Sequence, residues 1–280
     1  MRTNVSMRPA ITSMVLVLAL AVSACAAQQA TPPQASATPA SAFDPRSGTE
    51  VLGLDASAAQ ISPTLVVLVP GGAWTSADPS GLVPLAESLV TAGAIAAITT
   101  YRTASDGVFF PEPARDVACS VAAAVAIVGE SGREVDDVVL LGHSAGAHLA
   151  ALVALRGTEF ADGCPDPPVA ADALVGLAGL YDVTQVPLLA PNLFGPSSPD
   201  PSDREQGNPV GYAAARPQMP VLLVHGTADG LVPVQLTTEF ADALSTGGHA
   251  VSTDYPAGVD HQSVYSAEVA GPVVAAWLDL

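Results

Sequence analysis

Lysine is absent from this 280-residue chain, so arginine supplies all nine of its basic residues. Against them stand 27 acidic residues, for a formal net charge of −18. A field of that sign repels phosphate backbones and anionic headgroups, which argues against nucleic acid and anionic lipid surfaces as partners. The acidic surface serves solubility first. The three cysteines are too few for a disulfide-built scaffold, and neither they nor the five scattered histidines fall in a metal-ligand spacing. No metal and no other cofactor is expected. Internal repeats are missing too, which sets solenoid architectures aside.

What is present begins with a targeting pattern. Arg2 and Arg8 precede an apolar core from Ile11 to Val22, too short for a comfortable membrane span. Val22-Ser23-Ala24 then leads into Cys25, and small residues just before a cysteine resemble the bacterial lipobox. Residues 1–24 are therefore expected to be a lipoprotein-type signal peptide, with Cys25 lipidated; the alternative is an ordinary signal cut in the Ala-rich stretch beyond it. Residues 25–47, rich in Ala, Pro, Thr and Ser, read as a flexible tether, and 48–280 as one domain. The expected location is extracytoplasmic, lipid-anchored to the cell membrane through the N-terminus alone and otherwise secreted. Cys119 and Cys164 are then left to pair in an oxidising compartment or to remain free thiols; pairing is the expectation.

Apolar segments at 65–69, 94–100, 137–141, 173–178, 221–225 and 250–255 read as strands. They alternate with helical stretches at 80–92, 114–128, 144–155, 234–246 and 264–279. That order predicts the α/β class, a mostly parallel sheet between two helical layers. Residues 188–211, dense in Pro, Gly, Asp and Ser, read as a surface loop or small cap at the mouth of a site.

The chemistry is carried by Gly142-His143-Ser144-Ala145-Gly146, placed between an apolar strand and a small-residue helix. In that setting Gly-x-Ser-x-Gly is a nucleophile elbow, with Ser144 exposed on a cramped turn. A serine hydroxyl is a weak nucleophile at neutral pH, so it needs a histidine base and a carboxylate to orient that base. Asp229 lies just past the strand 221–225 and is the expected acid; Asp182, after 173–178, is the rival. His261 follows the last strand and is the expected base, whereas His249 enters that strand from the wrong end. His148 and His225 read as packing or structural residues, and Asp260 as a loop or cap residue. For the oxyanion hole, the amide of Ala145 and that of Gly72 or Ala73 are the expected donors, since Pro70-Gly71-Gly72-Ala73-Trp74 leaves an early strand.

Taken together these segments resemble an α/β-hydrolase of the bacterial carboxylesterase/lipase type, the group with hormone-sensitive-lipase-like and feruloyl- or acetyl-esterase-like enzymes. Members carry a His-Gly-Gly-x-Trp loop, a Gly-His-Ser-Ala-Gly elbow, a Gly-x-Tyr-Asp segment and a His-Gly-Thr-x-Asp acid loop. This chain has Gly71-Gly72-Ala73-Trp74, Gly142–Gly146, Gly179-Leu180-Tyr181-Asp182 and His225-Gly226-Thr227-Ala228-Asp229. The resemblance covers residues 64 to 280 and implies a serine hydrolase acting on small carboxylic esters through an acyl-enzyme. It does not separate ester from amide or peptide hydrolysis, nor an enzyme from a non-catalytic surface binding protein on the same fold, and it leaves oligomeric state open. Two departures stand out. Pro70 replaces the histidine that opens the family's oxyanion loop, and little chain precedes the first strand, so the N-terminal strands must be abbreviated, with 50–54 as their remnant.

Overall fold

Along Thr64–Val69 every side chain has an apolar neighbour to meet, on both faces of the strand. Leu65, Val67 and Val69 pack into one core cluster with Val117, Leu149 and Phe240, while Val66 and Leu68 pack into a second with Leu85, Leu89 and Val274. Alternation of this kind places helices on both faces of the sheet. Each such leucine or valine contributes roughly 1.5–3 kcal/mol when fully buried.

The computed structural model describes residues 42–55, 62–196 and 200–280. The expected signal segment 1–24, Cys25 and the tether up to residue 41 lie outside the described residues. One sheet holds β1 (Thr49–Leu52), β2 (Thr64–Val69), β3 (Ile95–Thr99), β4 (Asp137–His143), β5 (Ala173–Leu177), β6 (Val221–Val224) and β7 (Val251–Asp254). Their spatial order is β1-β3-β2-β4-β5-β6-β7. All neighbours are parallel except β1, which runs antiparallel to β3 and is the abbreviated N-terminal strand expected at 50–54. The helices are α1 (Val83–Ala92), α2 (Glu112–Glu130), α3 (Ala145–Arg156), α4 (Ala190–Phe194), α5 (Pro201–Gln206), α6 (Gln235–Thr246) and α7 (Ala270–Trp277). Residues of α1 and α7 fill one core cluster and those of α2, α3 and α6 the other. Among the described residues, no helix is long and apolar enough to cross a membrane.

Some boundaries differ from the sequence reading. Residues 42–47, taken as the end of the tether, belong to the folded domain: Arg46 lies 2.6 Å from Asp166 and 2.9 Å from Glu130. A single cation clasped by two carboxylates is invisible to composition. The expected helix 264–279 is a 3-10 turn at Ser263–Tyr265 followed by α7. Pro272 lacks an N–H and fits only a first turn, so the helix restarts there. Of the two readings of 188–211 the small cap is the one seen, with α4, α5 and a 3-10 turn at Pro209–Tyr212 among its described residues. Cys119 of α2 and Cys164 are disulfide-bonded. Closing a loop of 45 residues is worth about 4 kcal/mol in the chain-entropy model.

Candidate active site

The elbow is a steric consequence of two glycines. A Cβ on Gly142 would run into the carbonyl of Gly146, and one on Gly146 into the carbonyls of Val69 and Pro70. Only hydrogen at those positions lets β4 turn straight into α3 against the neighbouring strand. Between them Ser144 is held at φ 55°, ψ −120°, a left-handed conformation that L-residues seldom adopt outside functional sites. Its amide donates to Leu177 O at 2.9 Å, which fixes the turn to β5.

Parallel pairing then gathers the partners. Register aligns His143 with Leu177, Leu177 with Val224, and Val224 with Asp254, so β4, β6 and β7 end on one edge. Ser144, Asp229 and His261 all emerge from that edge. The His261 ring spans the gap, with Nε2 3.0 Å from Ser144 Oγ and Nδ1 2.7 Å from Asp229 Oδ2. The carboxylate accepting at Nδ1 keeps the proton there and leaves Nε2 as acceptor for the serine hydroxyl. Ser144 and His261 are each 6% exposed. Asp229 Oδ1 accepts from the amides of Leu231 and Val232, both at 2.8 Å. Burial pushes this carboxyl up, but the Val232 amide, His261 and the Leu231 amide outweigh it and hold the group below its ordinary range.

The loop from Pro70 to Trp74, expected to supply oxyanion donors, passes directly beside Ser144: a Cβ on Gly71 would lie 3.0 Å from Ser144 Cβ. Gly72 O accepts from the amides of Thr75 (2.9 Å) and Ser76 (3.1 Å). A trans peptide carries its N–H opposite its C=O, so the Ala73 N–H points away from those donors. Among the described residues, the amides of Gly72, Ala73 and Ala145 have no hydrogen-bond acceptor. Ala145 opens α3, whose N-terminal field favours negative charge.

The remaining candidates separate cleanly. Asp182, the rival acid, accepts from Thr184, Gln185 and Asn208 and caps a turn. Asp260 caps Ser263. His249 faces the carbonyls of Met219 and Ala215, far from the elbow in its bonding. His148 donates from Nε2 to Gly207 O at 2.8 Å and packs edge-on against Trp74. His225 is structural but touches the site: Nε2 lies 3.0 Å from Val232 O and 3.1 Å from Asp229 Oδ2, and Nδ1 faces the Thr237 hydroxyl. Its spacing of four residues from Asp229 was the available signal for that contact. His143, inside the elbow, donates from Nε2 to His261 O at 2.9 Å and packs against the His261 and Tyr265 rings, steadying the backbone that carries the imidazole. Nothing in its motif announced that role.

A mostly parallel sheet with helices on both faces, an elbow serine just after its central strand β4, and an aspartate and histidine after later strands at the same edge define the α/β-hydrolase fold. Within it the chain belongs to the BD-FAE family, whose profile matches residues 54–244. The probable carboxylic ester hydrolase LipM of Mycobacterium tuberculosis is 31% identical over 189 residues, covering 63% of this chain and 43% of LipM. The chain's matches span less than half the length of such curated relatives. Among solved structures, the acetyl ester-xyloside bifunctional hydrolase of Caldicellulosiruptor lactoaceticus superposes with a TM-score of 0.68 at 20% identity, covering 80% of this chain and 84% of the other. The propionate-bound thermophilic esterase Est2 of Thermogutta terrifontis gives a TM-score of 0.62 at 21% identity, covering 76% and 79%.

Proposed function

We propose that this chain hydrolyses carboxylic esters through an acyl-enzyme on Ser144. The observation that carries the reading is the hydrogen-bonded series from Ser144 Oγ through the His261 ring to Asp229. As Oγ attacks the ester carbonyl, its proton passes to His261 Nε2, and Asp229 stabilises the imidazolium that forms. The amides of Ala145 and of Gly72 or Ala73 receive the developing oxyanion. His261 returns the proton to the departing alkoxide. Water, deprotonated in turn by His261, then releases the acid and restores Ser144. Relatives named as esterases support the choice of bond. The test is covalent: a fluorophosphonate probe should add one adduct to the folded wild type, mapped to Ser144 by peptide mass, and none to Ser144→Ala. Folded wild type that stays unlabelled and leaves p-nitrophenyl acetate intact would remove the proposal.

The same proposal extends to location. The apolar segment ahead of Cys25 and the Cys119–Cys164 bond, which persists in oxidising compartments, support an extracytoplasmic enzyme anchored by lipid at Cys25. Diacylation holds a protein at a membrane where one chain would not. In the native host, Cys25→Ser should move the protein from the membrane fraction to the soluble fraction. Wild-type protein found soluble overturns the anchor.

A further inference from the structure

We propose that Asn192, on the cap helix α4, is the positioning residue that aims the oxyanion loop. This rests on the ester-hydrolase reading of the site and adds a part that no motif in the sequence marks.

Pro70 opens the loop and brings no side-chain donor of its own. The loop is instead pinned through its carbonyls. Pro70 O accepts from the buried Tyr101 hydroxyl at 3.1 Å, and Gly72 O accepts from Thr75 and Ser76. Ala73 O accepts from Asn192 Nδ2 at 3.1 Å. The first two restraints come from β3's exit and from the loop itself. The third alone reaches in from the cap, 119 residues away in sequence.

That third restraint holds the weakest point. Ala73 and Trp74 stand in succession at φ 52° and 59°, with side chains that disfavour this region. Each residue there costs on the order of 1 kcal/mol, so the pair relaxes unless its peptides are held. Ala73 sits between two peptide planes. The plane before it carries the Ala73 N–H offered to the oxyanion. The plane after it carries the carbonyl bound by Asn192. Trp74 is fully buried, which anchors the loop's far end but leaves the intervening peptide free to rotate. Thr75 and Ser76 hold the first plane through Gly72 O, Asn192 holds the second through Ala73 O, and the N–H keeps its direction only while both are held.

Asn192 itself is well supported. The next residue, Leu193, is fully buried, and its carbonyl accepts from Phe110 N at 2.7 Å. Phe194 packs edge-on against Phe110. The cap is thereby part of the machinery that shapes the hole.

The test compares wild type, Asn192→Ala and the nearly isosteric Asn192→Asp, whose carboxylate faces the carbonyl with no donor. With p-nitrophenyl acetate, both variants should lose about 10- to 100-fold in kcat while KM stays within about threefold, because a displaced donor weakens the transition state and not substrate binding. Hydrogen exchange should quicken at Thr75, Ser76 and Ala104, whose amides hold the carbonyls of Gly72 and Trp74, and stay unchanged in α3. A kcat within twofold of wild type, a loss confined to KM, or unchanged exchange in the loop overturns the assignment. Should the wild type show no Ser144-dependent hydrolysis, the ester-hydrolase reading fails and the exchange data alone decide: faster loop exchange upholds the positioning role and unchanged exchange sinks it. Asn192→Asp keeps the side-chain volume, so it decides the matter if the alanine variant does not fold.

Discussion

Ser144→Ala and His261→Ala are each expected to lower kcat on a short-chain p-nitrophenyl ester by about 10⁵- to 10⁶-fold, and the double variant by no more than either alone. Nucleophile and base act as one unit, since the hydroxyl is useless without an acceptor 3.0 Å away and the ring has nothing else to deprotonate. What survives is catalysis by the oxyanion donors, on the order of 10³-fold over water. Asp229→Asn should cost about 10⁴-fold, and the local bonding explains why. Oδ1 already receives two amide donors, and Oδ2 receives His261 Nδ1–H beside His225 Nε2. Whichever way the new amide turns, its NH₂ meets a donor. Relief comes only by flipping the His261 tautomer, which puts a proton on Nε2 and blocks it as a base. Single-turnover kinetics of the three variants check this. Additive losses in the double variant would break the triad into unrelated residues.

Acid should unfold this protein from an unusually high pH, despite its negative charge. Burial pushes His143 down to about 3, with the neighbouring His261 adding to the shift, and pushes His148 down to about 4. In the unfolded chain both rings titrate near the ordinary value of about 6.5. The folded state therefore refuses protons that the unfolded state accepts. Their stabilisation is complete above about pH 6.5 and falls as pH drops toward the folded values, by about 1 kcal/mol per pH unit for each ring. His225, lowered by the same burial, steepens the slope. Asp229 acts lower down: its depressed carboxyl contributes stability above about pH 4 that is lost as pH falls through the folded value. Protonating surface carboxylates relieves the repulsion of a chain at −18 and works the other way. Urea melts from pH 7.5 to 4.5 on wild type and His148→Gln separate the two. Glutamine can still donate to Gly207 O but cannot titrate, so its slope should be shallower by one proton. Parallel slopes would show that His148 is not held neutral.

Several parts of the site were legible because they are local. Glycine at 142 and 146 is required by contacts within and beside the elbow, and the pattern of apolar runs ending in polar loops is written residue by residue. His261 could be chosen over His249 from strand polarity, because in a parallel sheet every carboxyl end shares one edge; Asp182 also follows a carboxyl end, so polarity did not separate it from Asp229. The cap was harder. Pro, Gly, Asp and Ser between 188 and 211 forbid long helices, but they say nothing of where α4 docks. Arg46 illustrates the same limit at the N-terminus, since its two carboxylate partners lie 84 and 120 residues away.

The order of strands and helices, the elbow and the choice of the side chains proposed to react were read along the chain, by periodicity and by the few residue types that tight turns and acyl chemistry tolerate. Distances across the active edge were not. The His261 bond to Asp229, the His143 support beneath His261 and the reach of Asn192 to Ala73 arise from packing between elements remote in sequence. Such contacts depend on how two faces fit, and no single segment carries that information.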